Sequence, residues 1–254
     1  MKKVFLGLLV LPLIQATVVS ANTDETTNEV NVSFAIDRTP TKPVNPENPS
    51  QPFEDNGKKV EFSPESDRGK ADKDKPILIG TGNKGPFALD HVITEFDFGD
   101  VTEKDGIDTY TVIGNPAFYE QEKMFVQLTD NRSSRDTGWK LQAQFIDKLV
   151  STDEEKHQLV GVKLLLPKGI ARNSLTDNPA QEDTKNIATF AQGINDEAPT
   201  TIAETIASDR LRGKGVSTIT WATKDISLQV PAQLAKEKNY SFAIRWTLVT
   251  QPDK

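Results

Sequence analysis

The stretch over residues 239–249 reads NYSFAIRWTLV, and its pattern indicates how the chain folds. Tyr240, Phe242, Ile244, Trp246 and Leu248 occupy every second position, with small or polar residues between them. A period of two is that of a β-strand with one buried face. The stretch therefore predicts a strand that closes a β-sheet domain.

A shorter copy of this pattern lies upstream, at residues 138–145, with the sequence GWKLQAQF. The triplet Trp-x-Leu occurs in both places, as Trp139 with Leu141 and as Trp246 with Leu248. Because each tryptophan alternates in phase with other apolar residues, we expect both to point into the core. The alternative is an exposed aromatic strip, since indole rings stack on sugars and form interface hot spots.

The face opposite the tryptophans is polar in both strands. It would carry side chains that can hydrogen-bond a glycan or a peptide, namely Lys140, Gln142, Gln144, Arg245 and Thr247. Which of the two faces is in contact with solvent therefore decides how the domain would bind a ligand.

Residues 1–21 have the features of a secretory signal peptide. Two lysines precede an apolar stretch over residues 4–19, and small residues up to Ala21 form a suitable cleavage site. The apolar stretch is shorter than the roughly 20 residues of a transmembrane helix. We expect a secreted mature chain with no membrane insertion after cleavage.

The charge balance limits the class of partner. The 254 residues include 30 basic and 37 acidic side chains, for a net charge of −7, and no cysteine. An acidic chain is poorly suited to nucleic acid, which requires a basic surface. Without disulfides, stability must come from a packed core.

Three segments follow the expected signal peptide. Residues 22–39 are expected to supply an N-terminal strand that joins the main sheet, because apolar residues alternate over 30–36. Residues 40–75 form a proline-rich and charged surface excursion, in which proline at every third position predicts an extended rod of roughly 40 Å. Residues 76–254 form the main β domain.

The main domain consists of short runs rich in β-branched residues, separated by Gly, Pro, Asn and Asp. This spacing predicts an all-β fold, either an antiparallel β-sandwich or a partly closed barrel with long surface loops.

No catalytic motif is recognisable in the sequence. His91 and His157 are isolated, no nucleophile elbow or phosphate-binding glycine loop is present, and no loop has the complete ligand set of a calcium hand. We expect a non-enzyme with no cofactor and no metal; a secreted carbohydrate-active enzyme is the less favoured alternative.

The turn before the first Trp-x-Leu motif contains Asp130, Asn131 and Arg132, and a second arginine, Arg135. Asp and Asn favour turns by bonding their own backbone, so an internally braced turn is one interpretation. The other is recognition of a carboxylate ligand, for which guanidinium groups are suited.

Several of these segments, in this order, resemble the WxL domain, a surface domain of low-GC Gram-positive bacteria. The resemblance spans essentially all of the mature chain and is carried by Phe96–Gly99, Val126–Arg132, Gly138–Leu141, Gly213–Gly215 with Ser217 and Trp221, Val230 with Pro231, Tyr240, and Trp246–Leu248. Residues 133–136 are more charged than is usual there.

The resemblance implies a protein of the cell wall and cell surface that binds peptidoglycan non-covalently and occurs with membrane-anchored partner proteins. The motif residues are then Trp139, Leu141, Trp246 and Leu248, with Asp130, Asn131 and Arg132 in the neighbouring turn. We expect the ligand to meet residues 130–136 and the polar face around Lys140 and Arg245. The alternative is a structural subunit or adhesin that binds a membrane-anchored partner or a host matrix protein.

Overall fold

The structure is a computed structural model that describes residues 38–55, 58–67, 77–100, 108–111, 122–133, 137–206, 213–231, 236 and 238–251. The expected signal peptide and the alternating residues 30–36 lie outside these ranges. Within the described part of the chain, no helix is long and apolar enough to cross a membrane.

The described ranges contain β-strands and two 3-10 helices, Glu65–Asp67 and Thr223–Asp225. The strands are β1 (Glu54–Asp55), β2 (Lys58–Lys59), β3 (Glu61–Pro64), β4 (Ile77–Gly80), β5 (Phe87–His91), β6 (Asp108–Thr111), β7 (Lys123–Asp130), β8 (Gly138–Phe145), β9 (Leu149–Ser151), β10 (Gln158–Leu159), β11 (Lys163–Leu166), β12 (Ile170–Asn173), β13 (Ile187–Thr189), β14 (Gln192–Ile194), β15 (Thr200–Thr205), β16 (Gly215–Ala222), β17 (Ser227–Val230), β18 (Tyr240–Ser241) and β19 (Ile244–Gln251). The prediction of an all-β fold is confirmed.

The longer strands form three four-stranded antiparallel sheets. Sheet I has the order β12-β16-β7-β5, sheet II the order β13-β15-β8-β19, and sheet III the order β14-β11-β17-β6. A smaller sheet has the order β10-β9-β18, and two pairs remain, β1-β2 and the parallel pair β3-β4. None of these described sheets closes on itself, so the open antiparallel arrangement applies rather than the barrel.

One hydrophobic core joins the sheets. Sheet II contributes Trp139, Leu141, Ala143 and Phe145, all on the inward face of β8. Residues of the other sheets belong to the same buried cluster, among them Val126, Leu128, Ile219 and Trp221 of sheet I and Leu164, Leu166 and Ile194 of sheet III. The strict alternation in β8 follows from this packing, since every second side chain faces the shared core.

Sheet I is buried on both of its faces. In β7, Met124, Val126 and Leu128 point into the shared core, while Phe125, Gln127 and Thr129 on the opposite face are also buried. A strand covered on both faces has no solvent-exposed side, which explains why residues 124–130 of β7 are all buried. The opposite face must therefore be covered by another part of the chain.

Residues 41–53, here called the strap, lie against this second face of sheet I. Pro43, Pro46 and Pro49 are buried, whereas Pro52 is exposed. The expectation of a straight rod is wrong here, because Val44 pairs with Pro52 and the chain between them turns back on itself. The sheet supplies polar partners for the strap backbone, as in the bond from the Thr218 hydroxyl to the Pro46 carbonyl at 2.8 Å.

Candidate functional site

The two Trp-x-Leu motifs lie side by side in sheet II. Strand β19 pairs with β8 along its whole length, which places Leu248 opposite Leu141 and Trp246 opposite Ala143. Residues directly opposite each other in an antiparallel pair share a face. The sequence separation of the motifs is therefore bridged by strand pairing, and both tryptophans lie on the inward face.

Trp139 is fully buried and its polar groups are hydrogen-bonded. Its indole Nε1 donates to the carbonyl of Gly213 at 3.0 Å, and its backbone N–H donates to the hydroxyl of Thr205 at 3.0 Å. Leu141 is also fully buried. This arrangement leaves the first motif no indole face for a ligand, so its visible role is to fix β8 against the segment that leads into β16.

Trp246 and Leu248 occupy a less enclosed position. Both are half-buried and pack against the edge of the shared core. The expectation that both tryptophans point inward is confirmed, but only Trp139 is sealed. The difference follows from strand position, because β8 has neighbours on both sides and β19 is the last strand of sheet II.

The Asp130 carboxylate is the centre of a buried ionic cluster at the end of β7. Its side chain has no exposed surface. It accepts hydrogen bonds from Nε and Nη2 of Arg132, both at 2.8 Å, and contacts Nζ of Lys214 at 3.2 and 3.3 Å. One negative charge is thus shared by two cations, an arrangement that stabilises a buried carboxylate.

Arg132 connects this cluster to both Trp-x-Leu strands. Its Nη2 donates to the carbonyl of Gly138, where β8 begins, and its Nη1 donates to the hydroxyl of Thr250 in β19. The guanidinium also lies 3.7 Å from the centre of the Phe87 ring, which is a cation–π contact. The described part of the turn is internally braced through Arg132.

Asn131 lies between these two residues with an exposed side chain, and its backbone N–H donates to the carbonyl of Pro86. Residues 134–136, part of the expected contact segment, lie outside the described ranges. Of the three motif residues in the turn, Asn131 is therefore the one whose side chain faces solvent.

Lys214 is a residue that sequence reasoning missed. The flanking Gly213 and Gly215 have φ values of +70° and +79°, in the left-handed region that favours glycine. A Cβ at Gly213 would lie 2.6 Å from Nε1 of Trp139. Without a side chain, Gly213 allows the backbone to lie close to Trp139, and Lys214 beside it reaches Asp130. The sequence feature that could have indicated this role is a lysine with glycine on both sides.

The outward face of sheet II is polar. The register places Arg245 opposite Gln144, and Thr247 opposite Gln142. We call this surface the polar platform; its members are Lys140, Gln142, Gln144, Thr201, Glu204, Arg245 and Thr247. Six of them are half-buried and Arg245 is exposed.

The charges on the platform differ in how they are paired. Lys140 forms an ion pair with Glu204 at 3.2 Å. Gln144 donates from Nε2 to the carbonyl of Asp196. Among the described residues, Arg245 has no ion-pair partner within 4 Å, so its guanidinium is the platform's available cation.

The sequence matches the WxL domain family, described as a surface cell wall-binding domain, over residues 21–252. The chain belongs to the WxL family. No curated protein and no solved structure matches it. Membership places this WxL protein at the cell wall and cell surface.

The structure also shows where the two histidines of this WxL protein lie, which are the side chains considered for catalysis or metal binding. His91 is buried and contacts the carbonyl of Ile79 through Nδ1 at 2.6 Å, and His157 contacts the hydroxyl of Tyr240 at 2.9 Å. Within the described residues, no group of three or more acidic or histidine side chains could hold a metal ion.

Proposed function

We propose that this WxL protein is a non-catalytic module that binds peptidoglycan non-covalently through the polar platform of sheet II. The observation that carries the proposal is the orientation of β8 and β19. Their apolar side chains, including both tryptophans, face the core, which leaves Lys140, Gln142, Arg245 and Thr247 facing outward.

The platform has the chemical groups that a peptidoglycan strand requires. Amide and hydroxyl side chains such as Gln142 and Thr247 offer donors and acceptors for sugar hydroxyls and N-acetyl groups. Arg245 offers a planar set of donors for a carboxylate of the peptide stem. Arg132 is a weaker candidate for that role, because its side chain already bonds Asp130, Gly138 and Thr250.

The test is co-sedimentation of the purified mature protein with purified peptidoglycan. Arg245→Gln should weaken binding by about tenfold to a hundredfold, since a hydrogen bond to a charged group contributes about 1.5–3 kcal/mol and about 1.4 kcal/mol is a factor of ten. Lys185→Gln is a matched control, because it removes the same charge from an exposed position outside the platform. Gln142→Ala combined with Thr247→Ala should weaken binding further.

Two outcomes would contradict the proposal. If a folded variant with all three platform substitutions still sediments like the wild type, the platform is not the binding surface. If the purified protein releases reducing ends from wall glycan, the non-catalytic part of the proposal fails.

A second candidate function is binding of a partner protein, favoured by the position of β19. No described strand pairs with the outer edge of β19, and Val249 on this strand is 39% exposed. An open strand edge can accept an extended segment of another protein. Binding of a purified membrane-anchored surface protein or host matrix protein in the absence of wall material, blocked by Val249→Pro, would support this candidate.

A further inference from the structure

Several side chains hold the strap on sheet I, and the amide of Gln127 bonds the strap backbone at two points. The Gln127 Oε1 atom accepts a hydrogen bond from the backbone N–H of Val44 at 2.8 Å, and its Nε2 donates to the carbonyl of Lys42 at 3.1 Å. The Thr129 hydroxyl adds a contact of 3.2 Å to the hydroxyl of Thr41. Gln127 and Thr129 therefore replace the backbone partners that a neighbouring strand would supply.

Asp90 lies directly beneath these contacts. Its side chain is buried, with the residue 2% exposed, and its Oδ2 accepts from Thr129 at 2.7 Å and from Gln127 at 3.2 Å. Its Oδ1 is buried and has no hydrogen-bond partner among the described residues. Gln127 and Thr129 therefore contact both the strap and Asp90, and Thr41 of the strap also bonds Asp90.

A buried carboxyl with one unbonded oxygen is more stable when it is protonated. Burial raises the pKa of Asp90 from 3.8 to about 7, and the hydrogen bonds from Thr129 and Gln127, the nearby His91 and the bond from Thr41 only partly offset it. The carboxyl therefore changes charge near neutral pH.

The groups around Asp90 supply little compensating positive charge. The neighbouring groups are His91 on β5, the neutral Gln127 and Thr129 on β7, Thr41 and the exposed Lys42 in the strap, and the backbone of Thr81 after β4. Asp130, also on β7, points to the opposite face of the sheet and is bonded to Arg132. His91 is the one ionisable neighbour among them that favours the charged form of Asp90.

We propose that the strap is a pH-dependent cover over sheet I, held most firmly when Asp90 is protonated and loosened when Asp90 becomes ionised. Ionisation places a negative charge against the neutral Gln127 and Thr129 and draws their donors towards Asp90. The Nε2 group of Gln127 donates one hydrogen to Asp90 and the other to the carbonyl of Lys42, so a pull towards ionised Asp90 shifts the amide away from the strap and weakens that second bond. Opening of the strap relieves this cost because it gives Asp90 access to water.

The direction of the effect follows from linkage. With the strap closed, Asp90 keeps its proton up to about pH 7, whereas an open strap returns it towards its ordinary pKa of 3.8. The closed strap therefore binds more protons between these values, and its stability falls as pH rises through that window. Above about pH 7 both states are ionised, and the effect levels off.

Hydrogen exchange of the mature protein tests the proposal. Protection of the backbone amides in residues 41–53, corrected for intrinsic exchange rates and compared with amides of β8, should fall as pH rises from about 5 to 7. The upper limit is about tenfold for each pH unit if opening fully hydrates Asp90, and protection should be constant above about pH 7.

Two variants separate the proposed role from a general effect of pH. Asp90→Asn is neutral at every pH, so its strap should stay protected and show no such dependence. Asp183→Asn changes another buried carboxyl outside the strap contacts and should keep the wild-type profile. If wild-type protection of the strap does not change with pH, or Asp90→Asn changes in the same way as wild type, the proposal is overturned; the wild-type profile decides this even if a variant fails to fold.

Discussion

The guanidinium of Arg132 donates two hydrogen bonds of 2.8 Å to the carboxylate of Asp130, and it also donates hydrogen bonds to both Trp-x-Leu strands. Asp130 ends β7 of sheet I, whereas Gly138 and Thr250, which accept from Arg132, belong to sheet II. This pair therefore joins the two sheets at the end where the motifs meet. The turn of Asp130, Asn131 and Arg132, which lies beside the Trp-x-Leu motifs, therefore has a structural role in this chain that does not require a ligand.

Asp130→Asn should destabilise the fold strongly. It removes the negative charge that balances Arg132 and Lys214, both of which remain largely buried. Breaking a buried ion pair by removal of one partner costs about 3–5 kcal/mol. Urea unfolding followed by tryptophan fluorescence measures this loss.

The control for this substitution is Asp225→Asn, at an exposed position, which should change the free energy of unfolding by less than about 0.5 kcal/mol. Equal effects of the two substitutions would show that the cluster contributes nothing beyond an ordinary surface charge.

Gly213→Ala should destabilise the packing of the first Trp-x-Leu motif. The glycine has a φ of +70°, and a Cβ would lie 2.6 Å from both Nε1 of Trp139 and Cγ2 of Thr205. The strained backbone alone costs about 1–3 kcal/mol. The near-ultraviolet circular dichroism of the tryptophans should change together with the unfolding midpoint.

Gly193→Ala is the matched control for that experiment. Its Cβ would meet its nearest atoms at 3.4 Å, which is ordinary van der Waals contact, so little loss of stability is expected. A Gly213→Ala variant as stable as Gly193→Ala would mean that the contact with Trp139 relaxes freely.

The three tryptophans should differ in their access to a neutral quencher. Trp139 is 0% exposed and Trp221 is 3% exposed, whereas Trp246 is half-buried. Acrylamide should therefore quench mainly the emission of Trp246. Trp246→Phe should remove most of the quenchable signal, and Trp139→Phe should leave it in place; the reverse result would show that the first motif is the accessible one.

The sequence allowed the strands and the inward direction of both tryptophans to be predicted because both depend on local alternation. The contact between Asp130 and Lys214 could not be predicted in this way, since it joins residues 84 positions apart through the pairing of β7 with β16. The strap shows the same limit. Its proline spacing and the backbone bonds that turn it back over residues 45–51 are local, but its position against sheet I depends on Gln127 and Thr218, which lie far along the chain.

The free energy of unfolding should depend on pH through both Asp90 and Asp153, but with opposite signs. Burial raises the pKa of Asp90 from 3.8 to about 7, so its folded form binds a proton that the unfolded chain releases. Stability is therefore lost as pH rises from about 4 to 7, by up to about 4 kcal/mol at 1.36 kcal/mol per pKa unit. The hydrogen bond from Lys238 lowers the pKa of Asp153 to about 2, so its contribution is present above 3.8 and is lost as pH falls through 2.

Urea unfolding at several pH values separates the two groups. Asp90→Asn should gain stability relative to wild type as pH rises towards 7, with the difference smallest near pH 4. Asp153→Asn should differ from wild type by a small and constant amount across that range, because Asp153 is exposed and stays ionised there. If the advantage of Asp90→Asn is the same at pH 4 and pH 7, the carboxyl does not change its charge in this window, and burial has not raised its pKa.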